Sequence, residues 1–180
     1  MVQLVLINGA PASGKSTLAR MLAQEWPLAL VLDLDSIRGS LGRWADDPAA
    51  AGHAARRLGL AMAQTHLRAG REVIVPQFLQ RVDLVLALAE VCRQVGAEFV
   101  EVALVSDADD AARRFAARAG SAAANHRDAE LLQDAPGAEP IEAMYAGMIA
   151  MLRTRPGTHL VRTRAGDVAG TYADLRRALA

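Results

Sequence analysis

Apolar positions along this chain switch repeatedly between two periods. Val2-Gln3-Leu4-Val5-Leu6-Ile7 is an almost unbroken apolar run, as expected of a parallel strand covered on both faces. From Leu18 to Ala23 the apolar residues fall at helical spacing. Leu28-Ala29-Leu30-Val31-Leu32 reads as a second buried strand, and a loop follows through Trp44, Asp46, Asp47 and Pro48. Ala50 to Ala69 reads as a helix with Leu58, Ala61, Met62 and Thr65 on one face, stopped by Gly70. Val73-Ile74-Val75 is a short buried strand ended by Pro76-Gln77-Phe78. Residues 82–95 form an amphipathic helix closed by Gly96, and Phe99 to Val105 is a fourth strand.

Asp107 suits the cap of a helix running to about Arg118. The stretch from Ala119 to Glu139 mixes glycine, asparagine, proline and scattered charge, and its length suits a mobile lid better than a passive connector. Pro140 opens a helix through Met144, Met148 and Leu152. Thr158 to Val161 is the last strand, and Thr171 to Leu179 a closing helix. Strands alternating with helices predict an α/β fold of three layers, αβα, with a parallel sheet of about five strands and a helical lid.

The length of 180 residues suits one domain with a full α/β core. The formal net charge is zero, which argues against a broad electrostatic grip on nucleic acid. The lone cysteine, Cys92, excludes an internal disulfide and suits a reducing cytoplasm; its neighbours Val85, Leu88, Val91 and Val95 make it a packed core thiol. The first strand begins at residue 2, leaving no room for a secretory leader, and Pro27, Asp33 and Asp35 break the longest apolar run before it could span a membrane. His53 and His66 lie 13 positions apart and share no metal-binding face.

Between the first strand and the first helix stands Gly9-Ala10-Pro11-Ala12-Ser13-Gly14-Lys15-Ser16-Thr17. Strand, glycine loop and helix are the setting that G-x-x-x-x-G-K-[ST] needs to act as a phosphate loop. Glycines let successive N–H groups turn toward phosphate oxygens, and the helix presents its positive end to the same anion. Lys15 is expected along the β- and γ-phosphates, and the Ser16 hydroxyl on a magnesium ion. The implied ligands are ATP and Mg2+.

A phosphate loop alone does not separate a kinase from a motor or a switch. Asp35 and Arg38 follow the second strand, where the carboxyl edge of a parallel sheet binds ligands. A carboxylate there can take the proton of an attacking hydroxyl, and a guanidinium can hold the acceptor; the plainer reading makes Asp35 or Ser36 a helix cap. Arg113, Arg114 and Arg118 precede the lid, with Arg114 and Arg118 on one helix face, and Arg127 lies within it. Arginines delivered by a closing lid offset charge on a moving phosphoryl group. Val75-Pro76-Gln77 puts glutamine where many phosphate-loop enzymes end a strand with a magnesium-ordering aspartate. Asp33 or Asp35 then holds the metal's water shell, or Gln77 orients the acceptor.

These residues resemble the AAA_33-like small P-loop kinases grouped around polynucleotide 5′-hydroxyl kinase, chloramphenicol phosphotransferase and the zeta-toxin-like sugar kinases. Asp35-Ser36-Ile37-Arg38 is similar to a D-x-x-R motif of the polynucleotide kinases, and Leu34-Asp35-Ser36 to the Asp-Ser of chloramphenicol phosphotransferase. Arg114-Phe115-Ala116-Ala117-Arg118 matches a lid-arginine spacing, and Pro140 to Tyr145 the segment after the lid. The resemblance implies Asp35 as general base, Arg38 on the acceptor, and Arg114 and Arg118 on the phosphates. It also places the adenine near Arg162 to Asp167. The expected activity is γ-phosphoryl transfer to a hydroxyl of a small molecule, antibiotics and nucleoside-like compounds among the candidates. The rivals are a polynucleotide 5′-hydroxyl kinase and a non-catalytic nucleotide switch.

Overall fold

The computed structural model describes residues 1–106, 139–164 and 166–180. The five described strands are β1 (Gln3–Gly9), β2 (Leu30–Val31), β3 (Val73–Pro76), β4 (Glu98–Val105) and β5 (His159–Arg162). The described helices are α1 (Lys15–Ala23), α2 (Leu34–Gly39), α3 (Pro48–Arg68), α4 (Asp83–Val95), α5 (Ile141–Arg153) and α6 (Val168–Ala178). The expected lid apart from Glu139, and with it Asp107, Arg113, Arg114, Arg118 and Arg127, lies outside the described residues.

All strands are parallel, in the order β2-β3-β1-β4-β5. Alternation along β1 sends Leu4 and Leu6 to one face of the sheet and Val5 and Ile7 to the other. The first pair packs with Leu84, Val85, Leu88 and Met148 from α4 and α5. The second packs with Leu18 and Leu22 of α1 and Leu175 of α6. Helices therefore cover both faces, which makes the α/β three-layer arrangement and explains why the inner strands are mostly apolar, with Asn8 and Glu101 as buried polar exceptions. Among the described residues no helix is long and apolar enough to cross a membrane.

Two expectations need correction. The second strand shrinks to Leu30–Val31 at the sheet edge, because Leu28 takes a left-handed backbone (φ 61) and stays 74% exposed. On α3 the expected face is also wrong. Leu58 and Met62 are exposed, whereas Ala51, Ala55, Gly59, Ala63 and Leu67 are buried. Small side chains let α3 approach its neighbours closely: a Cβ on Gly59 would lie 2.3 Å from Leu34 Cδ2 on α2. Size, rather than hydrophobicity, chose the buried stripe.

Cys92 is 1% exposed on the inner face of α4, and burial pushes its thiol up to about 11. Since thiolate is the nucleophile, the reactive fraction near pH 8 is about a hundredfold below that of a thiol at its ordinary value. Titration with a thiol-specific disulfide reagent should find no reactive cysteine in the native chain and one after denaturant. Prompt native reaction would mean that α4 detaches from the sheet.

Candidate active site

β1 ends at Gly9, and α1 starts at Lys15 after a left-handed Gly14 (φ 93). Gly9 has no room for a side chain, since a Cβ there would lie 2.7 Å from Ser13 Oγ and 3.0 Å from Leu104 Cβ. Ser13 N–H donates to the Ala10 carbonyl at 3.1 Å, tightening the loop, and Lys15 Nζ donates to the same carbonyl at 2.9 Å. The ammonium is thereby held against the loop whose N–H groups and helix end form an anion site. Ser16, one residue into α1, is partly buried, and its hydroxyl makes no hydrogen bond among the described residues. Among those residues no three His, Cys, Asp or Glu side chains converge on a metal. The Ser16 hydroxyl fits a Mg2+ site at a bound phosphate, where phosphate oxygens and waters supply most ligands and the protein one or two.

Strand order determines what stands beside this loop. β3 lies between β1 and β2, so the acidic turn after β2 is two strands, roughly 10 Å, from the loop within the sheet. In the gap lies Gln77, whose N–H donates to the Ile7 carbonyl at 3.1 Å. Its side-chain Oε1 is buried without a hydrogen-bond partner among the described residues.

After β2, Asp33 is the N-cap of α2, its Oδ1 accepting from the N–H groups of Asp35 (3.0 Å) and Ser36 (3.3 Å). The cap is therefore neither Asp35 nor Ser36, and the Asp35 side chain is released for other contacts. Asp35 Oδ1 lies 3.2 Å from Arg38 Nη1, one turn on; its side chain is 41% exposed and that of Arg38 13%. The Arg38 guanidinium also lies over the Trp44 ring, 5.2 Å from its centroid, a contact that immobilises the fork.

Asp35, Arg38, Gln77 and Phe78 line one cleft of about 70 Å3, floored by Leu34, Leu79 and Leu84. Through Arg56, Phe78, Leu79 and Leu84 this cleft adjoins a groove of about 630 Å3 that reaches His53, Arg81 and Met144. On the other side of the phosphate loop, Ser13, Gly14 and Thr17 share a cavity of about 260 Å3 with Thr163, Arg164 and Asp167. Phosphate loop, the cleft at Asp35 and this third cavity thus run along the carboxyl edge of the sheet. Another cavity, about 650 Å3 around Arg20, Trp26 and Leu28, is at the end of α1 away from the phosphate loop and contains none of these groups.

Two residues here escape a reading by motif. Arg56 lines both cleft and groove and makes no ion pair among the described residues; its spacing from His53, three positions, was the available signal. Asn8 is completely buried and bonds to Leu79; a polar residue closing an apolar strand was its signal. Tyr145 belongs to the core, where its hydroxyl accepts from Ser106 N–H at 3.2 Å and donates to the Ser106 carbonyl.

Parallel sheet, phosphate loop and flanking cavities define a P-loop protein of kinase-like fold. A family model described as AAA domain, AAA_33, matches residues 4–136, and the chain belongs to that family. It is similar to a gluconokinase from Sinorhizobium meliloti 1021, with TM-score 0.61 and 16% identity over 98% of this chain and 91% of that one. It is also similar to a Deinococcus radiodurans tunicamycin resistance protein, with TM-score 0.59 and 16% identity over 98% and 95% of the two chains. A Mycobacterium tuberculosis APS kinase, solved with AMPPNP and APS, gives TM-score 0.53 at 22% identity over 84% and 98%. Likeness at such identities is likeness of fold. No curated protein matches the chain.

Proposed function

We propose that this chain is an ATP- and Mg2+-dependent phosphotransferase that moves the γ-phosphoryl group to a hydroxyl of a small molecule. The observation that carries the reading is the meeting of Asp35, Arg38 and Gln77 in one cleft beside the phosphate loop, with Asp33 taking over the capping of α2. The loop amides and Lys15 hold the triphosphate, and the cavity between Thr17 and Thr163 takes the base. Ser16 would hold Mg2+, which when bound neutralises charge on the β- and γ-oxygens. The acceptor hydroxyl enters beside Asp35, which takes its proton as the oxygen attacks phosphorus. Arg38, locked by Asp35 and Trp44, orients the acceptor. Gln77 offers it an amide oxygen that has no other partner among the described residues. Arg114 and Arg118 are assigned to the phosphates by their motif spacing alone.

A groove of about 630 Å3 is the size of pocket that encloses a drug-sized molecule. Its charged lining is mixed, with Arg56 and Arg81 against Asp83 and Glu139, unlike a basic track for a polymer. The test is an acceptor screen with labelled ATP over sugars, nucleosides, oligonucleotides and aminoglycoside- or phenicol-type drugs. We expect transfer to a compact hydroxyl compound, with turnover changing less than about threefold between 50 and 200 mM salt. An oligonucleotide end as the best acceptor, with affinity falling roughly 10³-fold or more over that range, would install the polynucleotide reading. ATP binding without transfer to any acceptor would leave the switch.

A further inference from the structure

Asn8 closes β1 and is completely buried, one residue before the phosphate loop. Its Oδ1 accepts from the Gly9 N–H at 2.8 Å and the Leu79 N–H at 2.9 Å, while its Nδ2 donates to the Leu79 carbonyl at 3.1 Å. Both lone-pair sites of the amide oxygen are thus used, and one oxygen serves two chain segments. The main-chain ladder between β1 and β3 ends where Gln77 N–H meets the Ile7 carbonyl. Beyond that point the Asn8 side chain does what a longer strand would do: it satisfies both main-chain groups of Leu79. Between those two attachments stand Gln77 and Phe78, which line the acceptor-side cleft.

We infer that Asn8 is a positioning residue that couples the two halves of the site. It fixes the Gln77–Leu79 segment to the first residue of the phosphate loop, so that nucleotide gripped by the loop also orders the acceptor side. This rests on the phosphotransferase reading and adds to it the device linking nucleotide to acceptor. The planar amide is packed on all sides and cannot turn without breaking all three bonds, so a displacement of Gly9 N–H reaches Leu79 through a single rigid group. A buried asparagine with a purely structural role would hold the segment equally with or without nucleotide.

Amide hydrogen exchange of the full chain, with and without Mg2+–AMPPNP, tests the coupling. In the wild type, AMPPNP should slow exchange of the peptide covering residues 77–82. In Asn8→Ala that peptide should exchange about tenfold faster without nucleotide, the effect of losing a hydrogen bond or two from a local opening equilibrium. AMPPNP should still bind to the variant yet no longer slow the segment. Asn8→Asp supplies a second measure. As carboxylate it cannot donate to the Leu79 carbonyl, but once protonated it again offers acceptor and donor. Loop protection should therefore return toward the wild-type value, compared at equal pH, as pH falls through the titration of that carboxyl. Nucleotide-induced slowing that persists in Asn8→Ala, or an Asn8→Asp variant indifferent to pH, would overturn the assignment. A wild type that binds no AMPPNP would instead remove the phosphotransferase reading itself.

Discussion

An Asp35→Asn variant is expected to lose about 10²- to 10⁴-fold in turnover with whichever acceptor the wild type uses, equivalent to roughly 3–5 kcal/mol of barrier. Asparagine keeps the size of the side chain and cannot take the hydroxyl proton. The structure lets this effect be separated from damage to the fold. Asp35 does not cap α2, and its pairing with Arg38 joins residues one turn apart with the carboxylate 41% exposed. Such a pair is worth about 0.5 kcal/mol or less, so the thermal midpoint should move by only a few degrees. AMPPNP affinity should stay near the wild-type value because the phosphate loop is two strands away. Asp33→Ala is the informative contrast: it removes the cap, costs about 1 kcal/mol of stability, and frees the turn that presents Asp35. Turnover of Asp35→Asn within threefold of wild type with every working acceptor would remove the general base from the proposal.

Lys15→Ala should weaken both nucleotide binding and transfer, the latter by about 10²- to 10³-fold, the range for deleting one preorganised charge from a transition state. The ammonium is a compact point charge, and a phosphate loop of this kind adds main-chain N–H groups toward the same anion. Lys15→Arg should rescue poorly, because a planar fork cannot occupy the place of a point charge inside a loop closed by Gly14 and the Ser13-to-Ala10 turn. The bond from Lys15 Nζ to the Ala10 carbonyl is also lost in the alanine variant, at a net cost of about 1 kcal/mol, so stability should decline mildly. Calorimetric titration with AMPPNP beside steady-state kinetics distinguishes the two roles. Unchanged affinity together with unchanged transfer would mean that Gly9 to Thr17 is not where the phosphates sit.

Much of the framework was legible along the chain because its signals are local. The phosphate loop is a run of consecutive residues between an apolar strand and a helix, and α4 ends at a left-handed Gly96 (φ 70) as its glycine indicated. Asp35, Arg38 and Gln77 could be singled out because motif spacing and the strand edge marked them, and all three line the same cleft. The capping of α2 is itself local, Asp33 Oδ1 taking the N–H groups two and three residues on. The error on α3 arose from a contact distant in sequence. The inward face of α3 is its small-residue stripe because Gly59 meets Leu34.

By itself the sequence determined a nucleotide-type phosphate loop, a parallel α/β layering and a short set of candidate groups, since each depends on residues close together in the chain. Tertiary structure decided which of those groups meet. Inserting β3 between β1 and β2 puts Gln77 between the loop and Asp35, and it lets Asn8 reach Leu79, 71 positions away. Strand order is set by how whole strands and helices bury their faces against one another, and no local period encodes it.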